Sequence, residues 1–241
     1  GATTRHHPLR RKCRSGEIAL AARRLTYRID SAARFTLWAV ALFALAAVAV
    51  HALRDEYAWS TAPLSFYLSG AYGPLLQAAY LGLAFAVAML GVAMRDHVLC
   101  TRDEGVCAVL GWPQRFALIS VPMLCTVGGL SLILTAMYPG GTPLMQVPAD
   151  EHLLHKLAAM TSFLSLGVVM PVQGWLWWGC RQRGGFARWA LPLGVLCVVG
   201  FLSLVLWRDA PRGALQKTVI ALYLLWLASA ALWMRRSPAR T

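Results

Sequence analysis

The histidines are the residues of this 241-residue chain whose types and spacing best suit chemistry. His152 and His155 stand three apart, so a helix would set both on one face. Asp150 lies just before them in Pro148-Ala149-Asp150-Glu151-His152-Leu153-Leu154-His155-Lys156. His51 closes an earlier apolar run at the same expected depth. Two or three imidazoles with a carboxylate are ligands of the kind zinc takes, and histidines from separate helices can hold a haem iron. A metal ion on His51, His152 and His155, or a haem, is therefore the sharp reading. Hydrogen-bonded interfacial histidines are the plainer and preferred one, because no HExxH pattern occurs. The same region could instead supply a hydrolase, with Ser65 as nucleophile, His155 as base and Asp150 or Asp209 as the orienting carboxylate. Ser65 lacks the flanking glycines of a nucleophile elbow, and a serine in such a loop is first of all a turn residue.

A broader polar set surrounds these residues. Three segments that should share one face of the molecule carry more polar groups than a connection needs: 54–71, 139–152 and 208–217. Together they predict a pocket built from Ser65, Asp150, His152, His155, Arg212, Gln216 and Lys217. On the other face His97, Cys100 and Cys107 read His-x2-Cys-x6-Cys, with Cys180 in a neighbouring loop. That spacing does not fit paired CxxC knuckles, and reduced thiols are expected there. No phosphate-binding or dinucleotide glycine fingerprint is present.

The elements that must position these residues follow from composition. Hydrophobic residues make up 58% of the chain and charged residues 14%, against about 25% charged in a soluble domain. A water-soluble enzyme and a disordered chain are both excluded. Six apolar runs, at 35–53, 72–94, 116–138, 153–178, 187–207 and 213–234, are long enough to cross a bilayer. They do not alternate apolar with polar residues, so a strand barrel is excluded. The expected fold is all-α: a six-helix polytopic membrane bundle over 35–234, preceded by a basic arm at 1–34 and followed by a basic tail at 235–241. The first run is too long for a signal-peptide core and is expected to stay in the protein. Lys156 and Lys217, in first turns, are placed to snorkel to the interface. Pro122, Pro171 and Pro192 should kink or open their helices, while Gly82, Gly91, Gly128, Gly129 and Gly167 should let helices approach closely.

Basic residues gather before the first run, in the loops after the second and fourth, and in the tail; the segment 139–152 has none. The positive-inside rule then puts both termini in the cytoplasm, of a bacterial inner membrane on this reading. The net charge of +13 is spread across all those loops as a topology signal, so no nucleic-acid partner is expected. Within 15–34, Ile18, Ala22, Leu25 and Ile29 form a helical stripe with Arg23, Arg24 and Arg28 off it. An amphipathic helix on the anionic membrane surface, or equally a solvated basic arm, follows; 1–14 should be disordered. Trp175, Trp177, Trp178, Trp189 and Trp233 are expected at the inner interface, with Trp59 and Trp207 at the outer one. The cysteines fall on the cytoplasmic side or within spans, and no disulfide is expected.

Ser65 and Gly70 before the second run, Met137-Tyr138-Pro139 ending the third, His155 heading the fourth and Gly213-Ala214-Leu215-Gln216-Lys217 opening the sixth together resemble a family of small prokaryotic membrane proteins. It is catalogued as domain of unknown function 998, and the resemblance covers about 35–234. That family usually has Asp after the aromatic-Pro step, where Gly140 and Gly141 stand here, and Arg where Lys217 stands. The resemblance implies six helices and a polar outer mouth, and no reaction. Three functions are consistent with these observations. The first is a protein that binds or processes a membrane lipid or other amphiphile at the outer pocket, where no cofactor is predicted beyond the metal ion or haem reading above. The second is an accessory or scaffold subunit bound to other membrane subunits. The third is a small-solute transporter, ranked last because charges near the bilayer midplane are missing.

Overall fold

The computed structural model describes residues 8–103, 111–178, 184–207 and 209–236. They form six helices: α1 (Pro8–Leu53), α2 (Gly73–Asp103), α3 (Trp112–Met137), α4 (Ala149–Trp178), α5 (Gly184–Leu206) and α6 (Arg212–Arg236). A short 3-10 turn, Leu64–Leu68, interrupts the loop between α1 and α2. Among the described residues there is no strand beyond one isolated bridge between Thr142 and Met145. Each helix contains a segment long and apolar enough to cross a membrane, and the fold is the expected six-helix bundle.

Each helix packs on its neighbours in the chain, and α6 closes the ring against α1. Asp30, low on α1, pairs with Arg34 at 2.5 Å and with Arg235, near the end of α6, at 3.1 Å. The chain thus returns to the end where it began; the opposite end, carrying 54–72 and 138–148, is called distal below. Apolar side chains cover both sides of most helices, as they must when lipid replaces water as solvent. Close helix approach relies on small residues. A Cβ on Gly129 would stand 2.7 Å from the Ala84 carbonyl oxygen, and one on Gly91 would stand 2.5 Å from Cys125 Cβ. Gly82, expected to act likewise, faces open space.

Helix α1 runs unbroken from Pro8 into the first span, so 15–34 is helical and 8–14, expected to be disordered, continues the same helix. Few breakers interrupt 8–53, and the arginines, alanines and leucines there are strong helix formers that extend the first span. Leu25 and Ile29 of the predicted stripe pack toward the bundle, and Arg23, Arg24 and Arg28 are exposed; the side chains of Ile18 and Ala22 lie outside the described residues. Gly111-Trp112-Pro113 opens α3, with the Gly111 N–H donating to Gln114 Oε1 at 2.6 Å.

One tryptophan expected at the inner interface is packed among the helices. Trp177 is fully buried, its ring centroid 4.5 Å from that of half-buried Trp233 and 5.2 Å from that of Phe186. Ring–ring packing among α4, α5 and α6 outweighs the interfacial preference of single indoles. Trp59, Trp175, Trp189 and Trp207 are exposed as expected, and the Trp178 side chain lies outside the described residues. His97 is buried beside the same cluster, 5.3 Å from the Trp233 ring. The Cys100 side chain, Cys107 and Cys180 lie outside the described residues, so the inner His–Cys set has no structural account. The described cysteines, Cys125 and Cys197, are buried thiols.

Candidate functional site

The distal end is built around the first turns of α6. The Ala214 N–H donates to the Ser60 carbonyl at 2.9 Å, and Gln216 Oε1 accepts from the Leu64 N–H at 2.8 Å. The Lys217 ammonium donates to the Trp59 carbonyl at 2.6 Å. Gly213 completes the contact, because a Cβ there would meet the Ala62 carbonyl oxygen at 2.5 Å. Four residues of one pentapeptide therefore clasp the segment 59–64, which otherwise would leave backbone polar groups unpaired near the membrane. That clasp holds the 3-10 turn, and with it Ser65, over the centre of the bundle.

Arg54 secures the other side of the loop. Its guanidinium donates to the Ser69 carbonyl and, at 2.6 Å, to Glu56 Oε1, and it lies 4.8 Å from the Tyr57 ring centroid. Glu56 is held below the ordinary glutamate range by its own backbone N–H and by Arg54. Gly70 has φ +89° with the same guanidinium against it, the one described backbone position where the left-handed region is used. Burial raises the Tyr67 phenol above its ordinary value, with Arg54 opposing, so the hydroxyl stays neutral.

His155 is oriented by main chain. Its Nδ1 stands 2.8 Å from the Tyr138 carbonyl oxygen. A carbonyl only accepts, so Nδ1 carries a proton. The residue is 7% exposed, and its ring lies against Gly140.

These two constructions meet at a cavity. Ser65, His155 and Gln216 line it together with Thr135, Ser162 and Tyr223. Phe43, Tyr80, Leu83, Leu132 and Leu227 supply much of the apolar wall. The space runs from the 3-10 turn toward mid-bundle and draws on every helix except α5. Its volume is about 60 Å³. That is room for several waters or one small polar group, not for a whole lipid. At its depth the Tyr223 hydroxyl donates to the Phe163 carbonyl at 2.6 Å, tying α6 to α4.

Of the seven predicted pocket residues, the structure thus brings Ser65, His155 and Gln216 to one cavity. Lys217 turns away into a groove between α1 and α6, which His51 also lines. Asp150 and Arg212 are exposed at the starts of α4 and α6, and half-buried His152 does not line the cavity. The metal expectation meets a different arrangement: His51 and His155 line separate spaces. Among the described residues no group of three or more His, Cys, Asp or Glu could hold a metal ion. No described hydrogen bond joins Ser65 to His155, and the group that orients the imidazole is the Tyr138 carbonyl rather than Asp150 or Asp209. The catalytic triad is therefore not assembled. Nothing in the sequence singled out Thr135, Ser162 or Tyr223, because isolated hydroxyls are ordinary within apolar helices.

No family model matches the chain, and neither a curated protein nor a solved structure is detectably similar to it.

Proposed function

We propose that this multi-pass protein resides in a bacterial inner membrane with both termini cytoplasmic. On this reading its distal cavity takes in the polar end of a lipid or other amphiphile. The orientation follows from the arginine-rich ends of the chain, which the Asp30–Arg235 pair brings to one side. The reading rests on one observation: Ser65, His155 and Gln216, from three different elements, line a single small cavity whose remaining wall is mostly apolar. Such a space, with a few converging polar groups in an apolar surround, suits one polar group carried on a hydrophobic body. The likeness to the domain of unknown function 998 family belongs to the same proposal, since the motif residues behind it gather at this end.

The test uses the full chain purified in mild detergent, with bound amphiphiles identified by mass spectrometry. One equivalent of amphiphile is expected in the cavity, and that equivalent is lost in His155→Ala and in Ala159→Phe, which fills the cavity from α4. Unchanged retention in both variants would reject the cavity. An empty protein that co-purifies with a fixed membrane partner would favour the accessory-subunit reading instead.

A further inference from the structure

The groove between α1 and α6 is the second space the predicted residues reach. It is open on its membrane-facing side, and Phe43, Ile220 and Leu224 form part of its floor. The same three residues belong to the wall of the central cavity, so only side chains separate the two spaces. The groove is larger than the cavity, with a volume of about 330 Å³. Its distal end is polar: His51, Trp59 and Lys217 stand there.

Three features of that end point to an occupant. The Lys217 ammonium gives one of its three protons to the Trp59 carbonyl, and it lies 5.5 Å from the Trp59 ring centroid. No carboxylate lines the groove, so its charge is uncompensated within the groove itself. His51 is fixed by donating Nδ1–H to the Ala47 carbonyl at 2.6 Å and by stacking on Tyr67 at 4.3 Å. That leaves Nε2 as a lone-pair acceptor, and it is buried with no hydrogen-bond partner. Exposed Trp59 marks the depth where an indole sits among lipid headgroups.

We infer that this groove is a seat for phosphatidylglycerol. An acyl chain lies along the apolar floor, the phosphate meets Lys217, and a headgroup hydroxyl donates to His51 Nε2. The charge selects an anionic lipid over a zwitterionic one, and the orphaned acceptor selects a headgroup that carries hydroxyl donors. The seat deepens the proposed function and rests on it for what the lipid does next: it places an amphiphile beside the cavity wall. Whether the lipid binds depends on the groove alone.

Native mass spectrometry of the full chain, titrated with phosphatidylglycerol and separately with phosphatidylethanolamine of the same acyl chains, tests this. Binding of phosphatidylglycerol should be about tenfold tighter, as a charge-assisted hydrogen bond implies. Lys217→Met should abolish the preference and Lys217→Arg preserve it. Ala221→Trp fills the groove from its exposed α6 wall and leaves the Lys217–Trp59 bond in place; it should remove the bound lipid without unfolding the protein. His51→Phe keeps a ring on Tyr67 but loses the acceptor, and should weaken phosphatidylglycerol more than phosphatidic acid, which lacks the glycerol hydroxyls. Equal binding of the two titrated lipids, or full binding in Ala221→Trp, would overturn the seat. His155→Ala should bind phosphatidylglycerol normally even if the cavity proposal fails; loss there would show that the lipid occupies the cavity and would also overturn the seat.

Discussion

The imidazole of His155 lies flush against the backbone of Gly140: a Cβ added there would stand 2.8 Å from Cδ2 and 3.2 Å from Nε2. Glycine is needed at this position for space, because the ring occupies the volume any side chain would take. Gly140→Ala should push the ring away from the Tyr138 carbonyl that fixes it, at about 1–3 kcal/mol for overpacking. Thermal unfolding in detergent measures the loss. An unchanged midpoint would mean the ring has room to turn, and its orientation would not be fixed as described.

Gln216→Ala should loosen the 3-10 turn. The Leu64 N–H would lose its acceptor across 152 residues of sequence, at about 1–3 kcal/mol if no water replaces it. Hydrogen exchange should quicken over 58–68 and stay unchanged at the Asp30–Arg235 end of the bundle. Gly213→Val, which drives a branched side chain into the Ala62 backbone, should be worse and reduce the yield of folded protein. Equal exchange in Gln216→Ala would mean that the other contacts hold the clasp unaided.

Much of this architecture is legible in the sequence. Apolar runs long enough to cross a bilayer are a statement about solvent, and 35–53 or 72–94 carry it without help from tertiary contacts. The helix ends were less legible, since polar residues such as those at 8–22 continue a helix without a hydropathy signal. That Trp177 packs on Trp233 and Phe186 is not legible, because hydropathy cannot tell an indole facing headgroups from one facing other rings. At the site, Ser65, His155 and Gln216 stood out as polar residues at apolar boundaries. Their partners did not: the Leu64, Trp59 and Tyr138 backbone groups carry no sequence identity. Lys217 shows the limit well, for its neighbour Gln216 faces the cavity while it reaches the groove. One residue along a helix rotates a side chain by about 100°, so residues adjacent in sequence can serve different spaces.

Acidification should release the loop between α1 and α2 in one step tied to Glu56. Its carboxyl is held below the ordinary glutamate value, chiefly by its own N–H and next by Arg54. A lowered folded-state pKa contributes stability that is complete above the unfolded value and disappears as pH falls through the folded one. The loss therefore belongs below the ordinary glutamate range, and neutral pH should be a plateau. Because the group is exposed to solvent, the effect is small and screened by salt. Proteolysis within 54–72, followed from pH 7 to pH 3, should accelerate at the acid end, and Glu56→Gln should remove the pH-dependent part. A variant with the same acid limb would assign the transition to another carboxylate.

Tyr223→Phe separates holding the cavity open from binding inside it. The hydroxyl donates across the bundle to the Phe163 carbonyl at 2.6 Å, and a Cβ at Gly167 would stand 2.9 Å from the Tyr223 hydroxyl oxygen. Interhelical hydrogen bonds of this kind contribute about 0.6–2 kcal/mol in membrane bundles, so Tyr223→Phe should lower the unfolding midpoint modestly. The ring still fills the α4–α6 contact, and amphiphile retention should stay near that of the unaltered protein, because Ser65, His155 and Gln216 are untouched. A variant that keeps its stability but releases the amphiphile would move Tyr223 from scaffold to ligand contact. The polar centre of the cavity would then lie deeper in the bundle than His155 places it, toward the level where α4 and α6 are joined.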